Sequence, residues 1–249
     1  MTTVREVLEP LKNPSATDEA TAAAVQGFND LAKASASTID DFIWEAYNQI
    51  FDVAGEITPE QQGRLVDFII QLRETTPTDA NGKVLVCGNT GGKLWKDLPT
   101  FGWVARELLN DIDPLQRHGS PAAGQQTKWE NWTAFLAHLT AKKQDFTLYA
   151  LWMLRDAFEE NAEQVDSPGA ARIAAIWIRY CGKQLRDLSA EGFTFERRLG
   201  VPGAMYDDRD WRGFSDERWS EWMKGLRDAQ NKYPSDETIR AAAELMERL

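Results

Sequence analysis

Apolar residues recur every three or four positions along most of this chain, which is the pattern of amphipathic α-helices. In the segment 37–54, for example, Ile43, Tyr47 and Ile50 share one helix face, whereas Asp41 lies elsewhere. The same periodicity predicts nine helices, over residues 17–34, 37–54, 58–74, 99–110, 127–143, 146–161, 168–188, 215–231 and 235–248.

Helix-start signals support several of these boundaries. Thr58 is followed by Pro59 at the first helical position. Gln61 comes three residues after Thr58, which is the spacing of a capping box. Ser215 and Ser235 stand directly before their helices and are predicted N-caps.

Two predicted helices are apolar on almost every side, at residues 148–158 (LYALWMLRDAF) and 172–182 (RIAAIWIRYCG). A helix without a polar face needs neighbours all round, so we expect these two to be the most buried elements. The only strand-like segment is KVLVC at 83–87, which is too short and solitary to build a sheet. The sequence therefore predicts an all-α protein.

The predicted helices are joined by three long connections, at about 75–98, 111–126 and 189–214. Links between helices usually take about 2–8 residues, and longer ones tend to be functional or flexible. No change in composition marks a domain boundary. We therefore predict a single domain over residues 1–249, with eight or nine helices arranged as a bundle or as stacked helical hairpins.

Charge and composition exclude several classes of function. The 249 residues include 28 Lys and Arg against 39 Asp and Glu, a net charge of −11, which argues against binding nucleic acid or an anionic membrane. Cys87 and Cys181 are the only cysteines, so neither a disulfide framework nor a thiolate zinc site is expected. The longest apolar run, 148–154, is too short to span a bilayer, and the polar first residues predict a cytoplasmic protein.

The segment CGNTGGKLW at 87–95 resembles a phosphate-binding loop only superficially. Gly88 and Gly92 enclose three residues where that motif has four, and Lys93 is followed by Leu94 instead of a hydroxyl residue. We therefore expect a glycine-rich loop without a nucleotide.

No metal or nucleophile motif is present in the sequence. His118 lies in a polar loop, His138 lies on the flank of its helix, and neither has a partner at helical spacing. A nucleophile elbow is also missing. We predict no metal and no cofactor.

Ten tryptophans are the most unusual feature of the composition. Trp152 and Trp177 lie on buried stripes and fill core volume. Arg155 and Glu159 are four residues apart and can pair along their helix, either as a structural ion pair or as a polar site facing a cavity. Arg218 and Trp222 have the same spacing and can form a cation–π pair.

Five segments, taken in order, resemble a fungal family of about this length that is catalogued as a domain of unknown function. The segments are LWKDLP (94–99), WENWTAFLAHL (129–139), LYALWMLRDAFE (148–159), AAIWIRYCGKQL (174–185) and ERWSEWMKGL (217–226). The resemblance runs from about residue 40 to the end of the chain. It implies an all-helical fold, an association of some members with specialised metabolism, and no established catalytic residues.

The first functional hypothesis is a tryptophan-lined pocket for a hydrophobic or aromatic small molecule, with cofactor-free isomerisation or cyclisation as the chemistry. Asp97 and Glu159 are the candidate catalytic acids, because burial disfavours the charged form of a carboxyl group. The candidate ligand-binding residues are Trp95, Trp129, Asn131, Trp152, Arg155, Trp177, Arg218 and Trp222.

The second hypothesis is a helical interaction or regulatory module without catalysis. The tryptophans would then fill the core, the long connections would recognise the partner, and the acidic surface would meet a basic protein. A cavity lined by tryptophan favours the first hypothesis, and an exposed apolar groove favours the second.

Overall fold

The computed structural model describes residues 2–111, 124–160, 168–196 and 198–249. Its regular secondary structure is helical, which confirms the predicted all-α class. The α-helices of the described residues are α1 Val4–Leu8, α2 Asp18–Ala34, α3 Ile39–Glu56, α4 Gly63–Arg73, α5 Phe101–Asn110, α6 Gln125–Ala141, α7 Thr147–Phe158, α8 Pro168–Glu191, α9 Asp216–Lys232 and α10 Glu237–Met246.

Extended pairing in the described part of the chain amounts to isolated bridges. The strand-like segment 83–87 contributes two of them, Thr78 with Val84 and Val86 with Lys93, and no sheet forms. The expectation that this segment is too short for a sheet is confirmed.

The predicted helices are found, with shifts at their ends. The short helix α1 was not predicted, and most of the predicted connection 111–126 lies outside the described residues. The connection predicted at 189–214 starts later, because α8 continues to Glu191 and ends at Gly192, whose φ of 64° is the left-handed conformation that terminates helices.

Two of the three N-caps predicted above are found in the structure. The Ser215 side chain accepts the N–H of Arg218, and the capping box of Thr58 and Gln61 is present. The prediction of Ser235 is wrong, since Asp236 is the N-cap of α10 and accepts two N–H groups. A carboxylate at this position also suits the positive end of the helix dipole.

The chain divides into two compact units. The first is Met1–Asp111 with Thr127–Phe135, and the second is Ile112–Gln126 with Leu136–Leu249. In the first unit, α2 packs against α1, α3 and α4, and α3 packs against α1 and α5. The prediction of one domain over residues 1–249 stays a prediction.

Helix α8 is the central helix of the second unit. It packs against α7, α9 and α10, and each residue from 173 to 178 is buried. The expected burial of 172–182 is therefore confirmed for its first half. In segment 148–158 of α7, no residue is exposed. Ala150, Leu151 and Leu154 are buried, and Trp152 is partly buried.

Helix α6 is buried over residues 131–137, a stretch that includes the polar residues Asn131 and Thr133. Thr133 and Thr140 donate their hydroxyls to the carbonyls four residues earlier, at distances of 2.8 Å. These local bonds satisfy the hydroxyls of Thr133 and Thr140, so both residues are compatible with burial.

The segment 192–215 connects α8 to α9 and is held by backbone contacts at both of its ends. Phe195 N–H donates to Arg212 O and Phe214 N–H donates to Phe193 O, both at 2.8 Å. Gly213 allows this approach, since a Cβ there would lie 2.1 Å from Phe193 O. Within the described ranges, no helix is long and apolar enough to cross a bilayer.

We expect Gly213→Ala to destabilise the protein by about 1–3 kcal/mol or more, because two backbones must separate to admit the methyl group. Urea unfolding measures the effect. Gly63→Ala is the matched control, since a Cβ at Gly63 meets nothing within 4 Å. Equal stability of the two variants would contradict this close approach.

Candidate functional site

Two of the candidate residues form a buried ion pair in the second unit. The side chains of Glu159, just after α7, and Arg218, on α9, are both 0% exposed. Arg218 Nε donates to Glu159 Oε1 at 2.7 Å, and Nη2 donates to Oε2 at 3.0 Å. This two-bond geometry is the strongest form of an arginine–carboxylate pair.

The remaining guanidinium donors of Arg218 bind the backbone of segment 192–215. Nη1 donates to Gly200 O and Gly213 O, both at 2.8 Å, and Nη2 donates to Val201 O at 3.2 Å. An arginine has five N–H donors, and all five are used here. Arg218 therefore fixes the path of this segment.

The carboxylate of Glu159 is equally well satisfied. Its Oε1 also accepts the indole N–H of Trp222 at 2.6 Å, and its Oε2 also accepts the backbone N–H of Gly203 at 2.8 Å. We call these residues, Glu159, Arg218 and Trp222 with the backbone groups they bind, the Glu159–Arg218 cluster. Because both charges have a complete set of partners, the cluster acts as a structural core.

Aromatic rings cover the buried guanidinium. The centre of the Arg218 guanidinium lies 5.3 Å from the Trp222 ring and 5.4 Å from the Trp211 ring. The predicted cation–π pair of Arg218 and Trp222 is confirmed.

The predicted pair of Arg155 with Glu159 is wrong. Arg155 Nε lies 3.6 Å from Asp156 Oδ1, whereas Arg218 binds both oxygens of Glu159. Since Trp222 and Gly203 complete the carboxylate, Glu159 has no acceptor site left for a second guanidinium.

The other two candidates of the second unit lie outside this cluster. Trp152 is partly buried, and its indole N–H donates to Leu199 O at 3.0 Å. Trp177 is fully buried on α8, and its indole N–H has no hydrogen-bond partner among the described residues. The expectation that both fill core volume is confirmed for Trp177 and is wrong for Trp152, which is only partly buried.

In the first unit, Trp95 is buried and Asp97 is not. The indole N–H of Trp95 donates to Asn29 Oδ1 at 2.9 Å. Asp97 is exposed and accepts the backbone N–H of Lys93 at 2.8 Å. The premise that Asp97 is a buried acid is therefore wrong, because this carboxylate caps a turn at the surface.

Asn131 and its neighbours bind the C-terminal end of α3. Asn131 Nδ2 donates to Gly55 O at 2.9 Å, and Gln62 Nε2 donates to Ala54 O at 3.1 Å and to Asn131 O at 2.8 Å. The last carbonyls of a helix lack partners within the helix, so these amides satisfy them. Trp129 is fully buried, with no hydrogen-bond partner for its indole N–H among the described residues.

The candidate residues therefore do not form one site within either unit. Four of them lie in the first unit and six in the second, and the structure brings together Glu159, Arg218 and Trp222. Three clefts are described, with volumes of about 230, 440 and 620 Å³. Their walls contain none of the ten candidate residues.

The largest described cleft lies in the second unit, and we call it the α6–α8–α10 cleft. Ala141 at the end of α6 and Leu245 on α10 line it, together with Leu249. The wall is completed by residues 179–184 and Asp187, which belong to α8, and by Lys143.

A kink in α8 lies in the wall of this cleft. Cys181 has a φ of −139° and a ψ of 18°, outside the helical range, and Gly182 follows it. The Cys181 thiol donates to Trp177 O at 3.3 Å, and burial raises the pKa of this thiol. Cys181 is thus a protonated wall residue and not a nucleophile.

Sequence reasoning missed this cleft because its residues form no motif. The only signal was Gly182, a glycine inside an otherwise apolar helix, which lowers helix propensity and favours a kink.

The Glu159–Arg218 cluster makes a direct prediction about stability. We expect Arg218→Met to lower the free energy of unfolding by about 3–5 kcal/mol, because it leaves the Glu159 charge buried without its partner. Arg227→Met, on the same helix, is the control: Arg227 and its partner Glu247 are each 49% exposed, and such pairs contribute at most about 1 kcal/mol. Denaturant unfolding measures both, and a similar loss in the two variants would contradict the assigned role.

Comparison with known proteins places the chain in a family. No curated protein and no solved structure matches it. The family model described as "Protein of unknown function (DUF3632)" matches residues 47–226, a stretch that contains the whole Glu159–Arg218 cluster. The resemblance to a family of unknown function is confirmed, and because the match covers more than half of the chain, this protein belongs to the DUF3632 family.

Proposed function

We propose that the protein binds a small molecule with an apolar body in the α6–α8–α10 cleft. The observation that carries this proposal is the cleft itself, with a volume of about 620 Å³. Pockets for small molecules usually have volumes of about 300–1,000 Å³ and mainly apolar walls with a few polar groups.

The composition of the wall supports an apolar ligand body. Ala141, Leu245, Leu249 and the buried Cys181 contribute apolar surface, and Tyr180 contributes an aromatic ring. The Tyr180 ring lies 4.3 Å from the His138 ring, centroid to centroid, which positions it. A flat apolar molecule would stack on this ring and displace water from the aliphatic wall.

The proposal keeps the predicted hydrophobic ligand but moves its site and leaves out the chemistry. Isomerase or cyclase catalysis needs an acid or base that can reach the ligand. Both oxygens of Glu159 are occupied by protein donors, and Asp97 lies at the surface of the other unit. Neither residue supports proton transfer in this cleft.

A second candidate function is the non-catalytic interaction module. Trp103 on α5 is 62% exposed, and exposed tryptophans are frequent centres of protein–protein interfaces. On this hypothesis, Trp103→Ala abolishes partner binding without lowering stability. A partner retained by that variant would exclude this surface.

We expect N-phenyl-naphthylamine, an uncharged fluorescent probe, to bind the protein with a blue shift of its emission. Ala141→Phe should weaken this binding at least about ten-fold, equivalent to about 1.4 kcal/mol, because the added ring occupies the cleft. Fluorescence titration measures the dissociation constant. Ala141 is exposed at the end of α6, so the variant is compatible with folding.

Ala190→Phe is the matched control, since Ala190 is an exposed alanine of α8 that does not line the cleft. It should bind the probe as the unaltered protein does. Equal affinity in all three proteins, or no binding to any of them, would overturn the proposal.

A further inference from the structure

We infer that segment 83–87 of the first unit binds an extended acidic peptide by β-strand addition. The observation that carries this inference is a free backbone edge, which we call the Val84–Val86 edge after the two residues that form it. The edge and the α6–α8–α10 cleft share no residue, so the inference does not depend on the proposed function.

One side of segment 83–87 is used by backbone pairing with the chain before and after it. The Leu85 N–H donates at 3.0 Å and the Leu85 carbonyl accepts at 3.3 Å, and Lys83 O and Cys87 N–H also have backbone partners. Residues 83, 85 and 87 therefore bond on one side, since the backbone groups of alternate residues in an extended strand point the same way.

The opposite side of the segment is open. The N–H and C=O groups of Val84 and Val86, four groups in all, form no hydrogen bond within the described ranges. Both residues are exposed, at 38% and 42%. Unpaired N–H and C=O groups in a row at an exposed edge are a template on which another extended chain pairs.

The edge is held in position by the rest of the first unit. Leu85 and Cys87 are buried, so buried and exposed residues alternate along the segment as in a strand. The Cys87 thiol and the Gly88 N–H both donate to Asp40, near the start of α3. An edge that is already ordered loses little conformational entropy when a peptide binds to it.

The charges beside the edge select an acidic peptide. Residues 83–96 contain three lysines, Lys83, Lys93 and Lys96, and no carboxylate. None of the three forms an ion pair among the described residues. The neighbouring carboxylates of Asp79 and Asp97 accept backbone N–H groups instead. Because charges are screened over about 8 Å at physiological ionic strength, these lysines decide the local preference although the whole chain is acidic.

A second copy of the chain fits the edge less well than an acidic peptide does. Two copies of segment 83–96 would bring six lysines together, with no carboxylate from either segment to offset them. An acidic peptide places its carboxylates beside lysines that flank the paired residues. Lys83 directly precedes Val84, and Lys93 is the bridge partner of Val86.

The test adds the peptide acetyl-Glu-Val-Thr-Val-Glu-amide to the isotopically labelled full chain. In an antiparallel arrangement its two valines pair with Val84 and Val86, and its glutamates lie on either side of them. We expect NMR titration to shift the amide signals of Val84 and Val86. Exchange of both amide hydrogens should also become slower, because the peptide carbonyls accept them.

Methylated peptides separate backbone pairing from contact with side chains. N-methylation of either peptide valine removes an N–H that donates to the edge, and it should raise the Kd at least about ten-fold. N-methylation of the threonine is the matched control, because its N–H points away from the edge. That peptide should keep its Kd within about two-fold.

Two variants of the protein test the same donor from the other side. Val86→Pro removes an N–H of the edge, and Val86→Thr retains it. Proline is tolerated at an edge where the N–H faces solvent, so we expect Val86→Pro to fold and to bind the peptide at least about ten-fold more weakly. Val86→Thr should bind the peptide as the unaltered protein does.

A peptide of opposite charge tests the acidic class. We expect acetyl-Lys-Val-Thr-Val-Lys-amide to bind at least about ten-fold more weakly than the glutamate peptide, and added salt to reduce this difference. Equal binding of the two peptides would overturn the acidic class of the partner.

Three further results would overturn the strand-addition site. They are unchanged Val84 and Val86 signals at millimolar peptide, equal binding of the valine-methylated and threonine-methylated peptides, and shifts of the same signals on raising the protein concentration alone. The last result would show that a second copy occupies the edge. The peptide comparisons use the unaltered protein, so they decide the question even where Val86→Pro fails to fold.

Discussion

The second unit is organised around one interaction that is costly unless it is complete. Removing a guanidinium and a carboxylate from water carries a penalty of several kcal/mol for each ion, and only close pairing with full hydrogen bonding offsets it. Glu159 and Arg218 meet that condition by recruiting backbone groups of segment 192–215. The irregular path of this segment is therefore a requirement of the ion pair, since its Gly200, Val201 and Gly213 carbonyls accept from the buried guanidinium of Arg218.

Close backbone approach is the second constraint, and it follows from the first. Gly203 packs so tightly against Glu159 that a Cβ there would lie 2.6 Å from the Glu159 carbonyl oxygen. A Cβ at Gly200 would likewise lie 2.0 Å from the Arg212 carbonyl oxygen. Glycine is needed at these positions because of the space that the neighbouring backbone occupies.

The helices were largely predictable from the sequence, because periodicity and caps are local signals. Segments 37–54 and 215–231 became α3 and α9 with ends shifted by one or two residues. What local signals do not contain is the choice of partner. Glu159 has an arginine four residues earlier, yet it pairs with one that is 59 residues away in the chain. Likewise, the partners of Thr133 and Asn131 are visible only in the structure, and the cleft arises from side chains of three helices that share no motif.

The separation of Glu159 and Arg218 along the chain also has a kinetic consequence. The pair cannot form until α7 and α9 have docked, so its charges lose their water late in folding. An interaction that forms after the transition state slows unfolding and leaves the folding rate almost unchanged, so this pair should act mainly on the unfolding rate. The amide hydrogens of Gly203, Phe195 and Phe214, which donate to Glu159 or across this segment, should therefore exchange slowly although they lie outside regular helices.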